Sequence, residues 1–388
     1  MPNLDFLFFD AGGGHRAAAT ALKEVCAEMH PDWNVRLVQV QELLSDFDIF
    51  RQAFGVKTEE IYNLVLRKGW TFGAGASLRG LQLLIRLYHK QQVYYLSRYW
   101  RQGPRPDLVV SLIPNFNRSI YAATKELDSS PPLVTILTDI ADFPPNFWIE
   151  RGQEQYFVCG SKRAEQQALE AGHARERIFR TSGMILNPRF YNTADIDRRA
   201  ERERLGLDPD KPTALVMFGG FGSLVMENIC EKLEASGLDL QIILICGKNA
   251  KLQAKLERGP SRLRRHVVGF TREVPYFMQL ADFFIGKPGP GSISEALHMG
   301  LPVITTRNAL TLPQERYNTA WVMENELGLV EANFGRVDVA VKKLLAPGVL
   351  ERYQANARRL DNRAVYEIPT IFEQLLAKHT PQNAVCLV

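Results

Sequence analysis

The sequence predicts an α/β protein built from two open, doubly wound, Rossmann-like domains. Short apolar runs alternate with helical patterns through both halves of the chain, the pattern of parallel strands covered on both faces. A glycine loop follows the first strand of each half, and the chain is long enough for two or three domains, at 388 residues with 46% hydrophobic and 23% charged.

Leu4 to Phe9 is an apolar run closed by glycines and reads as a buried strand. Arg16 to Met29 follows as a helix, with Ala18, Leu22, Val25 and Met29 on one face. Val35 to Val40, Leu108 to Ile113, Leu133 to Thr138 and Tyr156 to Cys159 read as further strands, and Leu215 to Phe218, Ile242 to Cys246, His266 to Val268, Phe283 to Ile285 and Pro302 to Thr305 repeat the scheme. Asn187 to Pro212, with Pro188, Pro209, Pro212 and dense charge from Asp195 to Arg204, reads as the boundary. The expected domains are residues 1–190 and 191–365. Ligands of such sheets bind at the carboxyl ends of the strands, so the chemistry is expected in a central cleft.

The composition excludes several classes. A net charge of +4 is too small to imply nucleic acid by itself. No run approaches a membrane-spanning helix, and the first ten residues lack the basic region of a signal peptide. Five scattered cysteines without a Cys-x-x-Cys pair point to reduced thiols in a cytoplasmic protein.

Three glycine loops carry the chemistry. The first, Gly12-Gly13-Gly14-His15, opens the first helix, where free N–H groups and the helix dipole favour an anion or polarised oxygen. Gly12-x-Gly14-x-x-Ala17 also fits a loose dinucleotide fingerprint, with Glu42 as an ambiguous acidic partner. His15 lies at a strand's carboxyl end and a helix start, where a neutral imidazole can take a proton from an attacking hydroxyl. The second, Phe218-Gly219-Gly220-Phe221-Gly222-Ser223, lacks the Lys-Ser/Thr of a triphosphatase loop and suits a backbone cradle for a diphosphate. The third runs Gly286-Lys287-Pro288-Gly289-Pro290-Gly291-Ser292-Ile293-Ser294-Glu295. A helix is expected from Ser292, with Ser292-x-x-Glu295 as a capping box. The rival role for Glu295 is to accept hydrogen bonds from paired ribose hydroxyls, and the spacing alone favours the cap.

From Ile61 to Arg105 there are eight basic residues and no acidic one, among many aromatics including Trp70 and Phe72. Ser77 to Arg101 has helical periodicity, with Leu78, Leu81, Ile85, Tyr88, Gln92, Tyr95 and Tyr99 on one face. Arg79, Arg86, Lys90 and Arg101 lie on another, beside Leu83, Leu87 and Tyr94. This pattern points to an anionic membrane surface, and no recognised nucleic-acid motif accompanies it.

Taken together, these segments resemble two-domain GT-B glycosyltransferases, and more narrowly the family of monogalactosyldiacylglycerol synthases and processive diacylglycerol glucosyltransferases in glycosyltransferase family 28. Asp10 to Ala17, Thr138-Asp139, Tyr156 to Ser161, Ala171 to Ile178, Val216 to Gly222, Ile245-Cys-Gly247-Lys248-Asn249, Gly269-Phe270-Thr271 and Gly286 to Leu301 carry the match. The resemblance implies inverting transfer of a hexose from a uridine diphosphate sugar to diacylglycerol or a related lipid, with no cofactor and no catalytic metal. It implies that Gly269 and Phe270 border the uracil and that Glu295 holds the ribose, reversing the cap reading. The Gly219 to Ser223 loop and the Ser292 helix start would hold the diphosphate, with Gln314 and Glu315 on sugar hydroxyls. Gly14, Gly247, Lys248, Thr271, Lys287, Gly289, Gly291 and Ile293 complete the expected donor set. His15 would be the base, with Asp139 orienting it or sharing the role and Asp10 a further candidate. Trp70, Phe72, Arg79, Arg86 and Lys90 would meet membrane or acceptor at the inner face of the cell membrane. Residues 366–388 would hold a final helix, Tyr366 to Lys378, crossing back to the first domain, and a tail.

The chain departs from the family pattern where acceptor and sugar would sit. Ala141 to Trp148 lacks a histidine usual after Thr138-Asp139, Ile113-Pro114 stands where His-Pro is common, and Pro313 stands where glycine is common. Transfer to a polyprenyl lipid or small molecule, a dinucleotide-dependent oxidoreductase and a non-catalytic UDP-sugar sensor are the competing readings.

Overall fold

A computed structural model describes residues 1–10, 13–44, 80, 82–83, 85–309 and 311–379. The chain divides into two compact units. Among the described residues the first comprises 1–187 and 363–379, and the second 188–362.

The first unit runs β1 (Asn3–Phe8), α1 (Gly14–Met29), β2 (Asn34–Gln39), α2 (Val40–Leu43), α3 (His89–Gln102), β3 (Leu108–Ser111), α4 (Asn117–Lys125), β4 (Leu133–Ile136), β5 (Tyr156–Cys159), α5 (Lys162–Glu170) and β6 (Ile178–Arg180). A C-terminal helix, Ala364–His379, completes it. The strands form one parallel sheet in the order β2-β1-β3-β4-β5-β6. Alternation along the strands feeds two cores. Leu4, Phe6 and Phe8 pack with Leu22 and Cys26 of α1 and Phe372 and Leu375 of the C-terminal helix. Leu7 and Val109 face the other way, onto Leu96 and Trp100 of α3 and Ile120 of α4. Strand order reverses at the β1/β3 junction, and a doubly wound sheet leaves its ligand crevice at the carboxyl ends of such neighbouring strands.

The basic helix is anchored by a buried polar contact. Asp5, fully buried in β1, accepts from Trp100 Nε1 at 2.8 Å and from Arg36 Nε at 2.6 Å. Burial raises its carboxyl, opposed by Arg36 and the indole. The buried face of α3 is Gln92, Val93, Leu96, Ser97 and Trp100, and Tyr88, Tyr95 and Tyr99 of the periodic stripe lie half-buried beside it. Its innermost residues are offset by one position from that stripe, which delivers the Trp100 indole to the Asp5 carboxylate.

The second unit runs α6 (Arg198–Arg204), β7 (Thr213–Met217), α7 (Val225–Ala235), β8 (Gln241–Ile245), α8 (Ala250–Arg258), β9 (Arg265–Val268), α9 (Val274–Leu280), β10 (Phe283–Gly286), α10 (Pro290–His298), β11 (Val303–Thr306), α11 (Arg316–Glu324), β12 (Gly328–Glu331), α12 (Val337–Leu344) and α13 (Val349–Arg358). Its parallel sheet has the order β12-β11-β10-β7-β8-β9, with the reversal at β7/β10. The charged segment read as a boundary is folded into this unit. Arg202 is buried, its guanidinium bonded to the Leu280, Pro209 and Lys211 carbonyls and to Asp282. Strands β6 and β12 are too short and too mixed in polarity to stand out in the sequence.

Cys26, Cys159 and Cys230 are buried, which pushes each thiol up to about 12, so they stay protonated and inert. Among the described residues no helix is long and apolar enough to cross a membrane.

Candidate active site

In the first unit, β1 and α1 deliver His15 to the switch point. Gly13 adopts φ 82°, a left-handed conformation that glycine takes at low cost, and starts α1 with no side-chain cap. His15 Nδ1 lies 3.1 Å from Thr138 Oγ1, at the carboxyl end of β4. The His15 ring also sits 5.9 Å from the ring of Trp148. Burial lowers the imidazole to about 4, with the Leu112 carbonyl at the end of β3 pulling the other way. His15 is thus neutral at physiological pH.

Asp139 is buried, and its Oδ2 accepts from Trp148 Nε1 at 2.9 Å. Trp148 is itself fully buried. Asp139 therefore reaches the His15 neighbourhood through the indole. Asp10 is ion-paired with Arg16 at 2.9 Å. Gly14 is exposed, with open space where a Cβ would project. Gly12, Trp70, Phe72 and Arg79 lie outside the described residues.

The segment after Asp139 is fixed by a second acid. Asp142 accepts the amides of Asn146, Phe147 and Trp148 at 3.1, 3.0 and 2.6 Å. Burial pushes it up to about 6, against those hydrogen bonds. Asn117 Nδ2 donates to the Trp148 carbonyl at 3.0 Å. These contacts fix the position of Trp148. Neither Thr138 nor Asp142 received a role from the sequence. A buried carboxylate a few residues before an indole was the available signal for the latter.

In the second unit, the glycine loops gather at the carboxyl ends of β7, β8 and β10. Gly219 and Gly222 have φ 70° and 62°. A Cβ on Gly222 would strike the Cys246 carbonyl, and one on Gly247 would meet the Gly220 carbonyl at 2.5 Å. The Lys248 amide donates to the Gly220 carbonyl at 2.8 Å, bracing the two loops. Lys248 Nζ lies 5.4 Å from the Phe270 ring and 5.9 Å from the Phe221 ring, and both rings are exposed. The Ser223 hydroxyl accepts from the Val225 amide at 3.3 Å, opening α7. Gly269 is packed against Gln253, and Thr271 Oγ1 accepts from the Glu273 amide at 2.9 Å.

The third loop corrects two expectations. Helix α10 starts at Pro290 with Gly289 as its N-cap. Proline at the first helical position is pre-organised for this start, so Ser292 lies inside the first turn and its hydroxyl donates back to the Gly289 carbonyl at 3.3 Å. The Ser292–Glu295 capping box does not form. Glu295 is half-buried, and burial pushes its carboxyl up to about 7, with Arg189 opposing. Ile293 is the second correction. Its side chain is fully buried in the core and its amide bonds the Gly289 carbonyl at 3.1 Å, so it has nothing to offer a donor. Gly291 is exposed with open space around it. Lys287 Nζ lies 3.5 Å from Glu315 Oε1, and Glu315 is buried beside the half-buried Gln314. Asn318 Nδ2 donates to the Pro288 carbonyl at 2.8 Å and so ties α11 to this loop.

Arg86 and Lys90 are exposed. Beside them in sequence Leu83, Leu87 and Tyr94 are 59%, 66% and 56% exposed. Residues 80, 82–83 and 85–87 are helical, and a turn at Tyr88 precedes α3.

Comparison with known proteins follows from this geometry. Residues 214–330 match the glycosyltransferase family 28 C-terminal domain. The chain is 28% identical to a probable chloroplastic monogalactosyldiacylglycerol synthase 2 of Oryza sativa subsp. japonica, covering 94% of this chain and 79% of the relative. It is 26% identical to the chloroplastic monogalactosyldiacylglycerol synthase 1 of Arabidopsis thaliana, covering 96% and 70%. Among solved structures it is similar to MurG of Acinetobacter baumannii, with a TM-score of 0.62 at 13% identity over 96% of this chain and 100% of that one. It is also similar to the MnaA–UDP structure of S. aureus, with a TM-score of 0.60 at 15% identity over 98% of each chain. Two parallel six-stranded sheets with glycine loops at the carboxyl ends of their strands agree with these relationships: the chain has a two-domain GT-B-type fold, carries a glycosyltransferase family 28 C-terminal domain at residues 214–330, and is similar over most of its length to monogalactosyldiacylglycerol synthases.

Proposed function

We propose that the protein transfers a hexose, with inversion and without a catalytic metal, from a UDP-sugar to the hydroxyl of diacylglycerol or a related glycolipid. The observation that carries this reading is a neutral imidazole, His15, held at the switch point of a doubly wound sheet, in a chain whose residues 214–330 match the glycosyltransferase family 28 C-terminal domain. His15 takes the proton of the acceptor hydroxyl. The acceptor oxygen attacks the anomeric carbon from the face opposite the diphosphate, the bond from that carbon to the diphosphate oxygen breaks, and UDP leaves. Leaving-group charge is met by the Gly219–Ser223 backbone and by the nine-residue helix α10, whose first turn carries no acidic residue. Glu295 binds the ribose hydroxyls, Phe270 borders the uracil, and Gln314 and Glu315 read the sugar.

The acceptor assignment rests on the relatives named monogalactosyldiacylglycerol synthases and on the exposed Leu83, Leu87 and Tyr94 beside Arg86 and Lys90. Apolar side chains flanked by cations suit the surface of an anionic bilayer, and the site of action is the inner face of the cell membrane. The test is UDP release from UDP-galactose and UDP-glucose in the presence of vesicles containing diacylglycerol, with lipid products identified by mass spectrometry. Turnover with a polyprenyl phosphate but not with diacylglycerol would overturn the acceptor, and absence of glycosyl transfer to every acceptor would overturn the activity.

A further inference from the structure

We infer that Phe221 is a further specificity-determining residue of the donor site: its exposed ring, at the tip of the glycine loop after β7, packs against the uridine of the UDP-sugar together with Phe270. This inference rests on the donor reading proposed above, in which Phe270 borders the uracil.

The backbone keeps this ring out of the core. The Gly222 amide donates to the Gly219 carbonyl at 3.2 Å, closing a four-residue turn with Gly220 and Phe221 at its centre. Gly219 and Gly222 take left-handed φ values of 70° and 62°. The Lys248 amide holds the Gly220 carbonyl at 2.8 Å, and Gly222 is pressed against the Cys246 carbonyl. The turn is thus pinned on both sides of Phe221, whose ring stays 51% exposed. Phe218, three residues earlier, does the opposite: it packs on the core and against the Phe334 ring at 5.2 Å.

The sheet order says what the ring meets. Strands β7, β8 and β9 are neighbours, and Phe221, Lys248 and Phe270 follow their carboxyl ends in turn. Lys248 Nζ lies 5.9 Å from the Phe221 ring and 5.4 Å from the Phe270 ring, so one ammonium joins two exposed rings across three strand ends. With neighbouring strands about 4.8 Å apart, the row spans roughly 10 Å, the scale of a nucleoside. The diphosphate cradle is the loop that carries Phe221, and Glu295 lies on α10, after the strand that pairs with β7 on its other side. A nucleoside that runs from this cradle toward Phe270 passes Lys248 and comes beside Phe221. A planar base buries the faces of such rings, and an ammonium held over them is a donor for the carbonyl oxygens at the edge of uracil.

The experiment is calorimetric titration of the full chain with UDP and with UMP. Phe221→Ala should weaken both by the same factor, about 5- to 10-fold, as expected for burial of half a phenyl ring. Phe221→Tyr keeps the ring and should bind both as the wild-type chain does. A loss confined to UDP would show that the change had only distorted the diphosphate cradle, and would overturn the inference. Unchanged UDP affinity in Phe221→Ala would also overturn it, and a raised KM for the lipid in that variant would then assign the ring to the acceptor. Phe270→Ala separates this inference from the donor reading. UDP affinity that falls in Phe270→Ala but not in Phe221→Ala removes Phe221 alone. A wild-type chain that binds no UDP, or UDP affinity indifferent to Phe270→Ala, overturns the donor reading and takes this inference with it. Should Phe221→Ala fail to fold, Phe221→Leu, which also lacks the ring, gives the same comparison.

Discussion

The two units solve the same topological problem with different materials. The pocket around His15 is built from side chains that hold one another: Thr138 on the imidazole, Asp139 on the Trp148 indole, Asp142 on three successive amides. The donor half is built from backbone, with Gly222 and Gly247 packed so tightly that a Cβ would collide with a neighbouring carbonyl. A proton-transfer site needs one atom at one angle, which buried polar contacts enforce. A diphosphate needs several N–H groups at close approach, which glycine allows. Damage to the first half should therefore appear in turnover and damage to the second in binding.

The largest effect expected from this contrast is at His15. His15→Ala should lower turnover by about 10²- to 10⁴-fold, the range for a lost general base, and leave UDP affinity within error; a variant that keeps near-wild-type turnover while folded would remove His15 from the mechanism. The wild-type rate should show no His15 limb between pH 6 and 8. The active neutral form is lost only as pH falls toward the imidazole's value of about 4.

Glu295 is the counterpart in the donor half. Its carboxyl sits near 7, and only the carboxylate can accept from both ribose hydroxyls. UDP affinity, measured by calorimetry, should therefore rise as pH increases through about 7. Glu295→Gln should weaken binding by roughly tenfold, as for a lost charged hydrogen bond, and remove that pH dependence. The same shift has a stability consequence in the free protein. A carboxyl raised above its unfolded value stabilises the fold only while protonated, so its contribution falls as pH climbs from about 4.5 to 7.

A smaller change tests the side-chain network. Trp148→Phe keeps most of the packing but removes one hydrogen bond to Asp139, a loss of about 1–3 kcal/mol. A lowered Tm with a reduced rate and intact UDP binding is expected, and an unchanged Tm would show that the indole N–H is dispensable. Smallest per residue is the basic surface. Arg86 and Lys90 are each worth about 1 kcal/mol near an anionic bilayer, so the double change to Glu should reduce sedimentation with phosphatidylglycerol vesicles while free UDP binding persists. Unchanged sedimentation would sink the membrane assignment.

Much of this architecture was readable from local pattern. Leu4 to Phe9 and the other apolar runs mark strands because side-chain alternation and burial are properties of neighbouring residues. Glycine spacing marks the loops for the same reason. The start of α10 was misread because Ser292-x-x-Glu295 and Gly289-Pro290 are both plausible beginnings, and the rigid proline two residues earlier took precedence. Which of two adjacent apolar stripes of α3 lies innermost is not legible in the sequence, because the deciding partner, Asp5, is 95 residues away.

The sequence by itself determined two parallel open sheets with glycine loops at their carboxyl ends, since strand periodicity and backbone freedom are local. Only the tertiary structure decided which side chains share a pocket. His15 and Thr138 are 123 residues apart, and they meet because β1 and β4 flank β3 in the sheet order. No pattern along the chain encodes that distance. It follows from which strands pair, and pairing is settled by the burial of whole faces rather than by any single residue.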